Sequence, residues 1–239
     1  MNRIILKSAF ISTLPVLMGY LTMGFAAGIL FSSRVELPFC GFWAFLSSST
    51  SISGALQFLL SEWFQSRTPL LDVALLTLCL NLRYAMYGFS LLERFQSVPL
   101  LRRLYLIWTL TDETYALEVE NKTPPGESPA AYALAVAAFD HIYWIAGVTA
   151  GAVTGSGLKF DNRGIDFAMT ALFLVILTDQ CRERSNRIPA LTGIIATLAS
   201  RIFFPPENML IPSMVLMLIL LFALRSRLDR KESGEKADV

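Results

Sequence analysis

Charge is scarce in this chain. Only 16% of its 239 residues are Asp, Glu, Lys or Arg, and there is a single histidine, where an ordinary soluble domain is about 25% charged. The cysteines, Cys40, Cys79 and Cys181, are too far apart for a CxxC pair or a metal-ligand spacing. They are read as apolar filler, and no cofactor or metal site is expected. No phosphate-binding P-loop, HExxH or GxSxG string occurs, no serine stands out as a nucleophile, and no aspartate pair has a GxGD-like context. A net charge of +1 gives no sign of a nucleic-acid partner.

Apolar length is abundant instead. The chain is 54% hydrophobic with a mean hydropathy of +0.53. Apolar segments lie near 9–31 (A), 41–63 (B), 70–92 (C), 104–118 (D), 130–153 (E), 165–181 (F), 189–204 (G) and 207–225 (H). Repeated runs of spanning length predict an all-α, polytopic membrane bundle in contact with lipid. One transmembrane domain should cover 1–225, with halves near 1–120 and 130–225 and a polar, disordered cytoplasmic tail over 226–239. The loop at 121–129, Asn-Lys-Thr-Pro-Pro-Gly-Glu-Ser-Pro, divides the halves. Segment A follows Lys7 but is too long for a signal-peptide core, so it is expected to be a retained first span.

Two segments are unusual. Segment B is flanked by Trp43 and Trp63 and is long enough to span, yet six of residues 47–53 carry hydroxyls and Gly54 follows. Polar groups all round a helix do not suit lipid, so a locally broken backbone lining a cavity is expected there. Segment D rises only about 23 Å and carries Thr111-Asp112-Glu113-Thr114 near its middle. If D spans, eight crossings put 12 Lys/Arg inside and 6 outside; if it is re-entrant, seven crossings with an external N-terminus give 13 and 5, leaving out Arg83 and Arg201. The positive-inside rule favours the second. With D turned back, A–C and E–G would run in opposite senses, an inverted repeat of the kind common in secondary transporters. Gly24-x-x-x-Gly28 in A and Gly147-x-x-x-Gly151-x-x-x-Gly155 in E each offer a small-residue face for a close helix contact.

Arg83 lies about 13 Å inside segment C, too deep to snorkel comfortably. A central arginine costs about 2.5–3.5 kcal/mol, so a carboxylate must face it, either a substrate's or one of the protein's own. Asp112 and Glu113 follow Thr111, a plausible helix N-cap, where acids suit the macrodipole. The competing reading makes one of them a proton carrier or the partner of Arg83. Asp140 and His141 sit mid-span in segment E but point about 100° apart, so spacing does not pair them. His141 either titrates or is satisfied by a neighbouring hydroxyl. Gln57 and Asn81 are neutral polar residues in spans, which more often bind a neighbouring helix than a ligand. Arg201 is one turn from the end of G and is expected to snorkel.

Several strings together resemble one family, the AzlC-type permeases, large subunits of bacterial branched-chain amino acid exporters. They are Gly19-Tyr20 through Gly28, Ser53-Gly54-Ala55-Leu56-Gln57-Phe58, Asn81 through Gly88, Leu110 through Leu117, Trp144 through Gly155 and Ile165 through Phe173. Asn81-Leu82-Arg83 and Thr111-Asp112-Glu113-Thr114 are the most specific. The resemblance implies a multi-pass inner-membrane exporter of leucine, isoleucine or valine, with methionine a further candidate. It also implies proton-driven efflux and a small multi-span partner of the AzlD type. Two positions depart from the pattern: Tyr84 stands where histidine is frequent and Thr22 where proline is. The first leaves Asp112, Glu113, Asp140 and His141 as the proton-coupling candidates.

Ser53, Gly54, Gln57, Asn81 and Arg83 are the expected substrate-binding residues. The carboxylate of a zwitterion would meet Arg83 or the free N–H groups of a helix restarting near Ser53–Gly54. Two other classes stay open: an intramembrane enzyme combining Asp112 or Glu113 with His141, and a non-transporting scaffold subunit.

Overall fold

The computed structural model describes residues 2–35, 37–96, 98–157, 187–205 and 209–235, and residues 167, 171, 174, 175, 177, 178, 181 and 182 between them. Segment F therefore lies almost wholly outside the described residues; of the Ile165–Phe173 string only Phe167 and Ala171 are described. All regular structure among the described residues is helical. The chain forms two compact units, Met1–Ala168 and Met169–Val239.

The first unit is built on α1 (Arg3–Arg34) and α8 (Pro129–Gly157), which with α4 (Leu70–Ser90) are the described helices long and apolar enough to cross a membrane. The Asn2 side chain caps α1 by accepting from the Ile4 N–H, and Pro129 opens α8, where its missing N–H is harmless. The two helices lie side by side and parallel. Ile5 and Ala9 pack with Tyr132, Ala135 and Val136, Thr13 meets Tyr143, and Gly28 meets Val148 and Ala152. The glycine faces of segments A and E thus pack on each other. A Cβ on Gly24 would lie 3.0 Å from the Val148 nitrogen, and one on Gly147 would lie 2.8 Å from the Tyr20 oxygen. Only glycine lets the backbones approach this closely, and in a bilayer such contact replaces the missing hydrophobic drive.

Segment B does not cross. It splits into α2 (Cys40–Thr50) and α3 (Gly54–Ser66), with Ser51 and Ser53 in extended conformation between them. The Gln57 amide donates to Ser47 Oγ at 3.0 Å, which brings residues on either side of the break together. At its start Gly41 touches Val153; at its end Glu62 pairs with Arg34 and Phe64 stacks edge-on against Phe31. Both ends of the hairpin therefore lie at the C-terminal end of α1. The helices have 11 and 13 residues, so each rises about 16–20 Å, roughly half a bilayer crossing. Ser47, Ser48 and Thr50 donate to carbonyls three or four residues back, the competition that weakens a helix at hydroxyl-rich runs. The sequence expectation of a broken backbone holds, but the single spanning segment is corrected to a re-entrant hairpin.

Segment D turns back from the other end. After α4 and α5 (Leu92–Phe95), α6 (Leu100–Trp108) climbs to Thr109–Thr111 and α7 (Asp112–Glu120) descends again. Arg94 bonds to the Glu118 carbonyl and to Asn121 Oδ1 at 2.6 Å, and Ser8 near the start of α1 donates to the Lys122 carbonyl at 3.2 Å. Thr111, at the tip, meets Tyr20 in the middle of α1. The re-entrant reading of D agrees with this geometry.

The inverted repeat is corrected. Because B also folds back, α4 is the one described helix between α1 and α8 that is long and apolar enough to cross, and A and E run the same way. The inversion lies within the first unit: α1 is followed by a hairpin entering from the end that α1 reaches, and α4 by one entering from the opposite end.

In the second unit α9 (Arg187–Phe203) packs on α10 (Leu210–Glu235), with Gly193 facing Met217. Arg201 is exposed in the last turn of α9. Helix α10 continues to Glu235, past the point where the tail was expected to begin.

Two outcomes are expected. In a variant lacking Cys40, Cys79 and Cys181, single cysteines replacing Leu37 and Arg67 should react with an impermeant reagent from the same side of the membrane; opposite sides would mean that B crosses. Gly28→Val should overpack α1 against α8 by about 1–3 kcal/mol or more and reduce the folded protein recovered from membranes. Gly19→Ala, which meets no heavy atom within 4 Å, should leave that amount unchanged.

Candidate functional site

Both hairpin tips reach one aromatic pair at mid-length of the α1–α8 couple. Tyr20 and Trp144 stack edge-on with centroids 5.6 Å apart. Ile52 from the first tip packs in their cluster, and a Cβ on Gly54 would lie 3.7 Å from the Trp144 ring. From the second tip Thr111 shares a 2.6 Å hydrogen bond with the Tyr20 hydroxyl. Helix N-termini of α3 and α7 thus converge on the same depth.

The two N-termini differ chemically. At α7 the Thr111 hydroxyl accepts from the Thr114 N–H at 3.1 Å, and Asp112 and Glu113 occupy the first turn. At α3 the N-cap Ser53 makes no side-chain cap bond; its Oγ is buried and has no partner, and no acid lies in the first turn. The α3 end is therefore left as a positive dipole terminus with free N–H groups, suited to an anion. The α7 end is already capped and negatively charged, suited to a cation.

The structure distributes the predicted site residues as follows. Ser53, Gly54 and Gln57 sit at or just past the first tip, with Gln57 buried and bonded to Ser47. Asn81 lies on α4 with its side-chain oxygen buried and unpartnered. Arg83 meets a protein carboxylate: its guanidinium stands 2.9 Å from Asp112 and donates to the Tyr84 hydroxyl at 3.2 Å. Tyr87, stacked on Tyr115, donates to the other Asp112 oxygen at 2.9 Å. Of the two acids left open as Arg83's partner, Asp112 is the one in contact. Tyr84 thus helps hold the guanidinium at the position where the resemblance leads one to look for histidine.

Glu113 is exposed and accepts from Tyr20 at 3.0 Å. Asp140 is buried; one oxygen accepts from Thr114 at 2.8 Å and the other has no partner. Thr111 donates to Thr114 at 3.0 Å. The result is a file, Glu113–Tyr20–Thr111–Thr114–Asp140, whose four links need four hydrogens; the three hydroxyls supply three, so all four links are made when one of the two carboxyl groups carries a proton. His141 turns instead toward α6, where Nδ1 is 3.2 Å from the Tyr105 hydroxyl and the ring lies edge-on to Trp108. Among the described residues no hydrogen bond or ion pair joins His141 to an acid, and no group of acids, histidines and cysteines is arranged to hold a metal.

Sequence reasoning named Thr111 only as a helix N-cap, which it is, and missed Tyr20, Thr114 and Tyr87. Each lies inside a string that carries the family resemblance, so a signal was present, but only the fold shows that α1, α4 and α7 bring their hydroxyls to one place. The second unit contains a separate cavity of about 650 Å³ whose lining includes Leu177, Pro189, Gly193, Thr197, Ser213 and Met217. None of the predicted site residues lines it.

The AzlC protein family model matches residues 15–158, which span α1 through α8. The chain is 32% identical over 226 residues to a Bacillus subtilis protein named branched-chain amino acid transport protein AzlC, covering 95% of this chain and 87% of that one. A Helicobacter pylori protein described as a membrane protein is 32% identical over 93% of this chain and 96% of its own length. The inner membrane protein YgaZ of Escherichia coli is 25% identical over 77% of each chain. No solved structure matches. With more than half of its length matched by the family model, and with relatives aligned nearly end to end, the chain belongs to the AzlC family.

Proposed function

We propose that this protein is a secondary transporter that exports neutral branched-chain L-amino acids across the bacterial inner membrane. Leucine, isoleucine and valine are the cargo, with methionine as a further candidate; efflux is coupled to protons and needs a small AzlD-type partner. The names of the Bacillus subtilis and Escherichia coli relatives support the substrate class and the membrane. The observation that carries the reading is the convergence of two unlike helix N-termini, one uncapped at Ser53 and one bearing Asp112 and Glu113.

A zwitterion has the complementary pair of charges. Its carboxylate would accept from Ser53 and the free N–H groups of α3, and its ammonium would face Glu113. The aliphatic side chain then needs only apolar surface, such as that of Trp144 and Met23 beside Gly54. Discrimination among the three cargoes should be weak, since one methylene in an apolar pocket is worth about 1–3 kcal/mol. Arg83, already neutralised by Asp112, serves as the tie between α4 and the D hairpin. Glu113 and Asp140, joined by hydroxyls, carry the proton, and His141 packs against α6.

Orientation follows from the corrected topology. Arg3, Lys7, Arg94, Arg102, Arg103 and Lys122 lie at the end where α1 begins, and only Arg34 and Arg67 of the described first unit lie at the other. The positive-inside rule then puts the N-terminus in the cytoplasm, opposite to the sequence expectation.

Efflux of preloaded leucine from cells carrying the protein, its partner, both or neither should be fastest with both, and equal rates in all four would refute the assignment. For the ion pair, Arg83→Gln should leave Asp112 without its cation, at a cost of about 3–5 kcal/mol for a buried pair, less for this half-exposed one. Membrane abundance should fall several-fold and recover in Arg83→Gln/Asp112→Asn, because no unpaired charge remains. A double variant as scarce as the single would show that the pair is not what holds α4.

A further inference from the structure

Glu118 lies in the last turn of α7, at the end of segment D. Its side chain is 1% exposed, and neither carboxyl oxygen has a hydrogen-bond donor. The nearest cation, Arg94, holds the backbone instead. One of its terminal nitrogens bonds to the Glu118 carbonyl and the other to Asn121 Oδ1 at 2.6 Å, leaving 3.9 Å to the carboxyl Oε2. A dry carboxylate with no donor is costly, so the group is stable as the neutral acid until the guanidinium moves about an ångström closer.

The position of this group relates it to the hydroxyl file. Thr114, one helical turn before Glu118 on α7, donates to Asp140, so Asp140 is held one turn from Glu118 and acts on it electrostatically. The unpartnered Asp140 oxygen and the two unpartnered Glu118 oxygens are buried acceptors left over in this region. The charged and titratable groups that act on Glu118 are Arg94 from α5 and Asp140 from α8; α1 contributes Tyr20, and α7 Glu113, to the file.

We propose that Glu118 is the station where protons leave the file toward the end of the protein at which α1 begins, with Arg94 as its counter-charge. This rests on the proton-coupled reading above and extends it. With a proton on Glu113, that carboxyl donates to Tyr20 and Tyr20 turns its own hydrogen to Thr111; each hydroxyl then takes one proton and gives one, through Thr111 and Thr114, so that Glu113 loses a proton and Asp140 gains one. From there it passes to Glu118 by way of a water molecule that would bridge the unpartnered oxygens of the two carboxyl groups. When Arg94 swings from the α7 carbonyl onto the carboxyl group, Glu118 gives up that proton to water at the end marked by Asn121 and Lys122, and the resulting carboxylate is held by the guanidinium. Glu118 is a proton carrier in this scheme and does not touch the amino acid.

Glutamine imitates the neutral acid, so Glu118→Gln should insert and accumulate like the parent. In proteoliposomes holding the full-length chain with its partner, leucine movement driven by an imposed proton gradient should fall at least tenfold. Leucine–leucine exchange, which moves no net proton, should stay within about twofold. Glu118→Asp should restore part of the driven flux. Infrared spectra of the purified protein should show one protonated carboxyl fewer in Glu118→Gln than in the parent near neutral pH. A Glu118→Gln variant that keeps driven flux would overturn the proposal, as would one that fails to accumulate, since Glu118 would then be a structural ion-pair partner. Unchanged infrared spectra would overturn it whatever the flux. A parent that exchanges leucine but ignores the gradient would instead remove proton coupling itself, and with it this station. A parent that moves no leucine at all would refute the transport reading, while the infrared comparison would still decide the state of Glu118.

Discussion

Backbone contact between α1 and α8 is the constraint on which the rest of the first unit depends. Lipid offers no apolar driving force for helix association, so adhesion comes from van der Waals contact and buried polar bonds. Gly24, Gly28, Gly147, Gly151 and Gly155 line one seam and let main-chain atoms meet where side chains ordinarily intervene. The seam also fixes register: once Gly28 meets Val148, Tyr20 must lie beside Trp144 and Thr13 beside Tyr143. Every polar contact at mid-length is referred to that register. A shift of one turn would move Asp140 away from Thr114 by about 5.4 Å, beyond hydrogen-bond reach.

Against that rigid couple, the two hairpins solve the problem of placing irregular backbone at depth. Unpaired peptide groups are tolerated inside a membrane only where protein or a wet cavity surrounds them. Here the break at Ser51–Ser53 lies under Trp144 and Tyr20, and the break at Thr109–Thr111 is tied by Thr109 Oγ1 to the Tyr105 carbonyl and by Thr111 to Thr114. Serines and threonines serve twice: they weaken the helix by bonding back to its carbonyls, and they then satisfy the ends so created. Entry from opposite ends makes the two helix N-termini point toward a common level, which two crossing helices could not do.

Much of this was legible in the sequence, and the failures have a shared cause. The hydroxyl run at 47–53 announced a break, the Thr111-Asp112 step announced a helix start inside segment D, and the cost of Arg83 demanded a carboxylate; the structure contains each feature. Segment B was misjudged because its length and its flanking tryptophans suit a span equally well, and hydropathy does not distinguish a straight crossing from two half-crossings joined by a turn. That distinction is carried by long-range pairs such as Gln57 with Ser47 and Glu62 with Arg34, to which local pattern is blind. The inverted repeat failed with it, because one folded segment changes the sense of every later helix. Asp140 and His141 fared better: a 100° helical offset separated them on paper, and they face α7 and α6 respectively.

The asymmetry between the two helix starts has a further consequence for the energetics of the site. An uncapped N-terminus at Ser53 and an acid-bearing one at Asp112 and Glu113 form a dipolar surface that is neutral in sum when Arg83 is counted with Asp112 and Glu113 carries a proton. In that state an ammonium group gains little at the α7 end. In the proposed scheme a carboxylate at Glu113 would draw the ammonium while the α3 terminus would take the substrate carboxylate. In the transport scheme proposed above, proton and ammonium would compete for the same oxygen atoms, and Tyr20 donates to that carboxyl group as the first link of the file. Competition for one group is the simplest physical basis for exchange of a proton for a zwitterion: neither can be held fully while the other is bound, so release of one favours loading of the other.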